Sequence, residues 1–467
     1  MRGALVVLLS FANLNLIWSP DVLPNTLFAW TLVRSGNVDY DEFVSTAGGP
    51  ERPDQLDRNA YFFRGCGPRV LSSVTALTAV RSPGGPPPPA PGQHVCSIFP
   101  PGVAILALPV LVPAVLAGVS PADVTALLLL GHVVAAILEA IAALLLWSVV
   151  GRFVSARWEV GLVLLYVLVT SVRTVGSQAL WQHPAVHLAI AAALWLTLEE
   201  RALSARRAFL AGLAIGFGTV ARQTTAIALA GIVSRRTFLR TTAGFGIGVV
   251  PLLVYNAIAF GDPFEQGYGS KPFDTPILTG LYGVLLSPSR GLFIYAPYLL
   301  FAIASLALAW RAPGQVAMRL RALGLIWLAT LVLYATYTEW WGGRVFGARF
   351  LDDLAPVLFC ALAWGIGRGL LARRLWRTVF WVLAGWSLLL FNAAALVYDQ
   401  HWDTEPVNVN FHPEKLFDWS DPQWVAVLRA LPDGGARAVV GLVLSLVIVA
   451  LLLRLEGLWP RRLSSVG

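Results

Sequence analysis

Three acids fall within four residues at Asp39, Asp41 and Glu42, in a polar stretch soon after the first apolar run of the chain. Carboxylates at the mouth of a helix bundle can serve as a general base or as metal ligands; a merely solvated acidic loop does neither. Arg222 interrupts the apolar stretch 211–233. An arginine at membrane depth costs roughly 2.5–3.5 kcal/mol on insertion scales, so it needs an anionic partner or water, unless it sits in a turn at the headgroups. Segment 286–297 sets a Ser-Pro-Ser turn and Arg290 at the start of an apolar helix. Free backbone N–H groups and a guanidinium there can hold phosphate, or simply cap the helix. Segment 339–349 joins Glu339, Trp340, Trp341, two glycines, Arg344 and Arg349. An interfacial aromatic belt accounts for the tryptophans alone. Sugar stacking and phosphate binding would use the remainder as well. His183, just ahead of Pro184, could carry a proton or make a structural hydrogen bond. Walker, dinucleotide, zinc-spacing and Gly-x-Ser-x-Gly patterns are all missing from the sequence, which argues against an ATP-driven pump or an ordinary hydrolase.

The elements that must position these residues are membrane helices. Of 467 residues, 57% are hydrophobic and only 13% charged, about half the charge of a usual soluble domain. Runs such as 208–220, 244–260, 291–310 and 439–453 are apolar around the whole helix, which suits lipid or a bundle interior. We read spans at 4–20, 102–118, 124–150, 158–172, 184–198, 208–221, 223–234, 242–259, 291–310, 322–338, 350–366, 378–397 and 438–455. Several fall short of the roughly 20 residues that a straight crossing needs, so tilted, re-entrant or merged segments are expected. The fold class is therefore an all-α polytopic bundle of about 11–13 helices, one domain over 1–467.

The net charge of +8 comes from arginines clustered in short connections, as the positive-inside rule expects of cytoplasmic loops, and not from a nucleic-acid surface. Loops 21–100, 173–183, 261–290, 339–349 and 399–437 then share the opposite face. One inconsistency follows. Two crossings between 102 and 150 would leave Arg152 and Arg157 on the wrong side, so either 102–118 does not cross or a third short crossing hides near His132. No cleavable leader is evident after the run 4–18. The large loop 21–100 contains a strand pair around 60–63 and 70–74 and a polyproline stretch at 83–91, read as a linker. Cys66 and Cys96 lie in that loop and could pair in an oxidising compartment or stay free; Cys360 reads as packing.

A first helix, a large outer loop with an Asp-Glu pair (Asp41-Glu42), paired prolines before the next helix (Pro100-Pro101) and many further spans resemble the GT-C superfamily of membrane glycosyltransferases. The elements 287–295 and 340–344 look like a less-studied bacterial branch. The chain departs from some members in lacking a large soluble C-terminal domain, and in its proline-rich outer loop. The resemblance implies sugar transfer from a polyprenyl-phosphate donor to a glycan, lipid or protein acceptor on the outer, periplasmic face of a bacterial inner membrane. It implies Asp41 as base with Glu42 or Asp39 in support, and Arg222, Arg290, Arg344 and Arg349 as donor-phosphate ligands. His94, His183, Lys271, Glu339 and Trp341 are the substrate-contact candidates. A divalent metal requirement is left open, and no nucleic-acid partner is expected. The competing class is a transporter or flippase of an anionic lipid-linked substrate, which should carry its acids at mid-membrane on broken helices. A non-catalytic subunit of an envelope assembly would leave the acids dispensable.

Overall fold

The computed structural model describes residues 2–17, 19–45, 53–68, 83–456 and 458. The chain is mostly helical with almost no strand. Its main helices are α1 (Arg2–Phe11), α2 (Leu23–Trp30), α3 (Gly102–Leu116), α4 (Val124–Val150), α5 (Ala156–Leu168), α6 (His183–Thr197), α7 (Ala205–Ala221), α8 (Phe238–Phe260), α9 (Ile277–Leu286), α10 (Leu300–Ala309), α11 (Gln315–Thr336), α12 (Arg349–Asp352), α13 (Ala355–Gly367), α14 (Arg374–Val397), α15 (Gln423–Ala430) and α16 (Gly435–Leu455). Among the described residues five helical stretches are long and apolar enough to cross a membrane: α4, α8, α11, α14 and the run through α15 and α16. Exposed side chains on these helices are largely apolar, among them Ile247, Val254, Ile258, Leu325, Leu328, Val382, Leu388, Val443 and Leu446. Contiguous apolar surface of this kind belongs in lipid, where helices satisfy their own backbone.

Other apolar runs are not continuous helix. The run expected as one span over 4–20 is helical only over Arg2–Phe11. Beyond it the buried carboxamides of Asn13 and Asn15 donate to the carbonyls of Arg173 and Tyr398, at 3.3 and 2.8 Å, which ties the chain after α1 to two distant segments. The run 223–234 is likewise a 3-10 stretch, Gln223–Ala228, followed by a single turn at Leu229–Ile232.

The bundle has two unlike ends. At one, Arg152 donates to the carbonyls of Trp195 and Leu198, Arg207 pairs with Glu199, and Arg319 donates to the Glu199 carbonyl. At the other, segments around residues 19–21, 85–99, 266–273, 339–350 and 400–411 meet around a cavity. Helix α3 starts beside Ala221 at the cavity end, and the Val119 carbonyl just past it accepts the Trp30 indole N–H from α2. Helix α4 then passes Thr26 and Leu180 and finishes at Arg152. Helix α4 thus links the level of Thr26 and Leu180 to Arg152 at the arginine end. With 15 residues α3 is about 22 Å long, short of a hydrocarbon core of about 30 Å.

Helices α7 and α8 pack backbone against backbone. A Cβ on Gly212 or Gly216 would strike the Thr241 or Phe245 carbonyl, and one on Gly244 or Gly248 the Phe209 or Leu213 carbonyl. Without a hydrophobic force between helices in lipid, such small-residue seams let close packing hold them together. The seam fixes the axis of α7 and thereby the place of Arg222, its C-cap.

The described parts of the long connection between α2 and α3 are tied down. Strand β1 (Val44–Ser45) pairs in parallel with β2 (Leu56–Asp57), and β3 (Phe63–Gly65) antiparallel with β4 (Val95–Ser97). The expected strand at 70–74 lies outside the described residues; β4 is the partner of β3. A Cys66–Cys96 disulfide crosses the second pair. The polyproline stretch is no detached linker: the Gly84 carbonyl accepts from Ser270 N–H at 2.8 Å, and Gly85 and Pro86 line the cavity.

Candidate functional site

The cavity holds about 550 Å³ and draws its wall from segments spread over most of the chain. Arg222, Lys271, Arg344 and Arg349 line it with two carboxylates, Asp21 and Glu339. Lys271 Nζ pairs with Glu339 at 2.6 Å, whereas Arg344 has no ion pair among the described residues. An excess of fixed cations in a partly dry cleft attracts an anion.

The wall behind them is built on α6 and α12. His183 Nδ1 lies 2.7 Å from Asp353 Oδ1 and must donate to it, while its Nε2 accepts from Arg349 Nε at 2.8 Å. Those two bonds define a neutral imidazole of one tautomer, a bridge rather than a proton carrier in this arrangement. Arg222 Nε reaches Asp353 Oδ2 at 3.3 Å, and its guanidinium lies 4.7 Å from the Phe350 ring centroid. Arg349 Nη1 donates to the Gly342 carbonyl at 3.1 Å and lies 3.5 Å from Asp21 Oδ2. Asp21 also accepts from the Tyr61 hydroxyl. The Asp21 carboxylate is one-fifth exposed, enough to meet a ligand in the cavity. Gly342, Gly343 and Gly347 all take positive φ, which lets the 342–347 loop fold closely over the Arg349 turn.

Of the residues singled out in the sequence, Arg222, Arg344, Arg349, Lys271 and Glu339 line this cavity. His183 stands one layer behind it, and Trp341 donates its indole N–H to Asn410 on the cavity wall at 3.1 Å. The others are placed elsewhere. Arg290 is buried and spent on Asp403 Oδ1 at 2.5 Å and on the carbonyls of Ser289 and Gly343. It steadies the glycine loop and the segment after α14 but does not face the cavity.

Asp41 caps a different local structure. One oxygen accepts from the Val95 N–H at 2.8 Å and the other lies 2.5 Å from His94 Nδ1. That hydrogen bond, with the negative charge of Asp41 and then Asp39, raises the His94 pKa above the usual 6.5. Asp39, Asp41 and His94 offer ligand atoms within 4.8 Å of one another, and the latter two are exposed. Glu42 accepts from the Ser35 hydroxyl at 2.8 Å. None of these four borders the cavity. The residue that sequence reasoning passes over is Asp21, directly after Ser19-Pro20, where the first apolar run gives way. A second is Asp353, read only as part of a span. The signal for both was a carboxylate at the edge of an apolar run.

No family model matches the chain, and neither the curated proteins nor the solved structures contain one significantly similar to it.

Proposed function

We propose that this chain is a GT-C-type glycosyltransferase of the bacterial inner membrane, a bundle of about 11–13 spans that transfers a sugar from a polyprenyl-phosphate donor to an acceptor at its periplasmic face. The observation that carries the reading is the cavity at the end away from the arginine loops, where the Asp21 carboxylate faces Arg349, with Arg222 and Arg344 on the same wall. In the reaction an acceptor hydroxyl oxygen bonds to the anomeric carbon and its proton passes to Asp21. The bond from that carbon to the phosphate oxygen breaks, and the electron pair leaves with the polyprenyl phosphate. Fixed guanidinium groups offset the charge that grows on the leaving oxygen, and the loss of one such donor costs about a hundred- to a thousandfold in rate. Phe273 and Leu333 extend the wall toward the exposed apolar Leu278 and Val332, a path for an isoprenoid tail.

The test is purified protein with a sugar-labelled polyprenyl-phosphate donor, scored for release of polyprenyl phosphate and label in an acceptor. A second reading, transport of an anionic lipid-linked substrate, draws support from one observation. Glu139, His187 and Asp352 are buried titratable groups inside the bundle. Intact donor moved across vesicles without cleavage would favour it over transfer.

A further inference from the structure

Buried beside the cavity wall is a second polar cluster for which the proposed reaction has no use. Glu139 and His187 are fully buried, on α4 and α6. His187 Nε2 lies 2.9 Å from the Asp352 carbonyl oxygen, and a carbonyl can only accept, so that nitrogen carries a hydrogen. His187 Nδ1 lies 2.6 Å from Glu139 Oε1, and a contact that close holds one proton between them, on either atom. The other Glu139 oxygen accepts from the Tyr166 hydroxyl at 3.3 Å. Room for the carboxylate exists because residue 176 is glycine; a Cβ there would collide with Glu139 Oε1.

His183 and His187 are four residues apart and so share a face of α6. Between them they grip one short turn. His183 holds the side chains of Arg349 and Asp353, and His187 holds the main chain of Asp352. That turn follows a loop with glycines at positive φ and makes a single helical turn of four residues, so it has little means of fixing its own position.

We propose that His187, oriented by Glu139, is a positioning residue that sets the Arg349–Asp353 turn against the cavity. The role in catalysis rests on the glycosyltransferase reading; the mechanical role does not. Glu139 acts through shape and hydrogen bonding, by keeping the imidazole Nε2–H aimed at the Asp352 carbonyl. A displacement of about 1 Å in a charged group at a reacting centre can cost about a hundredfold in rate.

The experiment compares Glu139→Gln, Glu139→Ala and Gly176→Ala in the full chain. Two readouts are used: amide hydrogen exchange of the peptide covering 348–354, and kcat and KM with the labelled donor. Glutamine donates to Nδ1 of a neutral imidazole and keeps the clamp, so Glu139→Gln should match wild type in exchange and stay within about threefold in kcat. Glu139→Ala and Gly176→Ala should speed exchange in 348–354 and lower kcat about ten- to a hundredfold, with a much smaller change in KM. Gly176→Ala removes no polar group and only pushes Glu139 aside, so its effect reports displacement alone. Unchanged exchange in both alanine variants would overturn the proposal. So would a Glu139→Gln protein as impaired as Glu139→Ala, which would make the charge or its proton the working element. If wild type proves inactive with the donor, the glycosyltransferase reading falls, while the exchange data still decide the clamp.

Discussion

Asp21 Oδ2 and Arg349 Nη1 lie 3.5 Å apart, joining the segment after the first helix to the turn that leads into α13. An acid that can take a proton and a cation that can offset a leaving anion thus share one wall, set there by elements from opposite halves of the chain. The cation is held by His183 and the Gly342 carbonyl, so its position does not depend on Asp21.

Arg290 and Asp403 make a buried pair, with Tyr398 and Gln423 also bonded to the Asp403 carboxylate. Removal of one partner leaves an uncompensated buried charge, at a cost of about 3–5 kcal/mol. We expect Asp403→Asn and Arg290→Gln to lower the melting temperature and the folded yield, with donor KM little changed in the protein that does fold. Scanning fluorimetry beside donor kinetics checks this; a stable Arg290→Gln protein with a greatly raised donor KM would place Arg290 in the phosphate site instead.

The glycine seam carries its own prediction. At Gly212 a Cβ meets the Thr241 carbonyl, which is backbone and cannot swing away. Overpacking typically costs about 1–3 kcal/mol, and here α7 and α8 must separate to relieve it. Gly212→Ala should lower thermal stability measurably, whereas Gly246→Ala, at which a Cβ meets nothing within 4 Å, should lie within about 0.5 kcal/mol of wild type. Equal effects at the two positions would refute the close seam.

His94 gives a pH dependence of known sign. Its folded pKa is raised above 6.5 by the Asp41 hydrogen bond and by the charges of Asp41 and Asp39. The contact therefore contributes its full stability below pH 6.5 and loses it as pH rises through the folded value. Histidine-selective NMR should show the His94 titration move down toward 6.5 in Asp41→Asn. An unmoved titration would mean that the pair does not form in solution.

Charge in apolar surroundings was the legible part of the site. Arg222 stands out against the apolar run around it, and Glu339, Arg344 and Arg349 crowd one short connection; these four line the cavity, as does Lys271, one of the two lysines of the chain. Helix breaks were less legible: the bonds by which Asn13 and Asn15 tie the chain after α1 to residues far along the sequence show in no local pattern. Asp21 was passed over since a single acid after a span resembles an ordinary interfacial residue, while three acids at 39–42 make a stronger local signal. Glu139, one acid inside an apolar helix, carried a warning of its own, as membrane-depth carboxylates are rare without a role.

Asp21 as the proposed base is tested by a paired substitution. With the labelled donor under conditions in which chemistry limits the rate, kcat is measured for Asp21→Asn and Asp41→Asn against wild type. General-base loss typically costs about a hundred- to ten-thousandfold, and asparagine keeps the shape of the side chain. A loss on that scale is expected for Asp21→Asn in normally folded protein, with Asp41→Asn within about tenfold of wild type. Near-wild-type turnover by Asp21→Asn, with the large loss falling on Asp41→Asn, would contradict this assignment and move the chemistry to the outer loop.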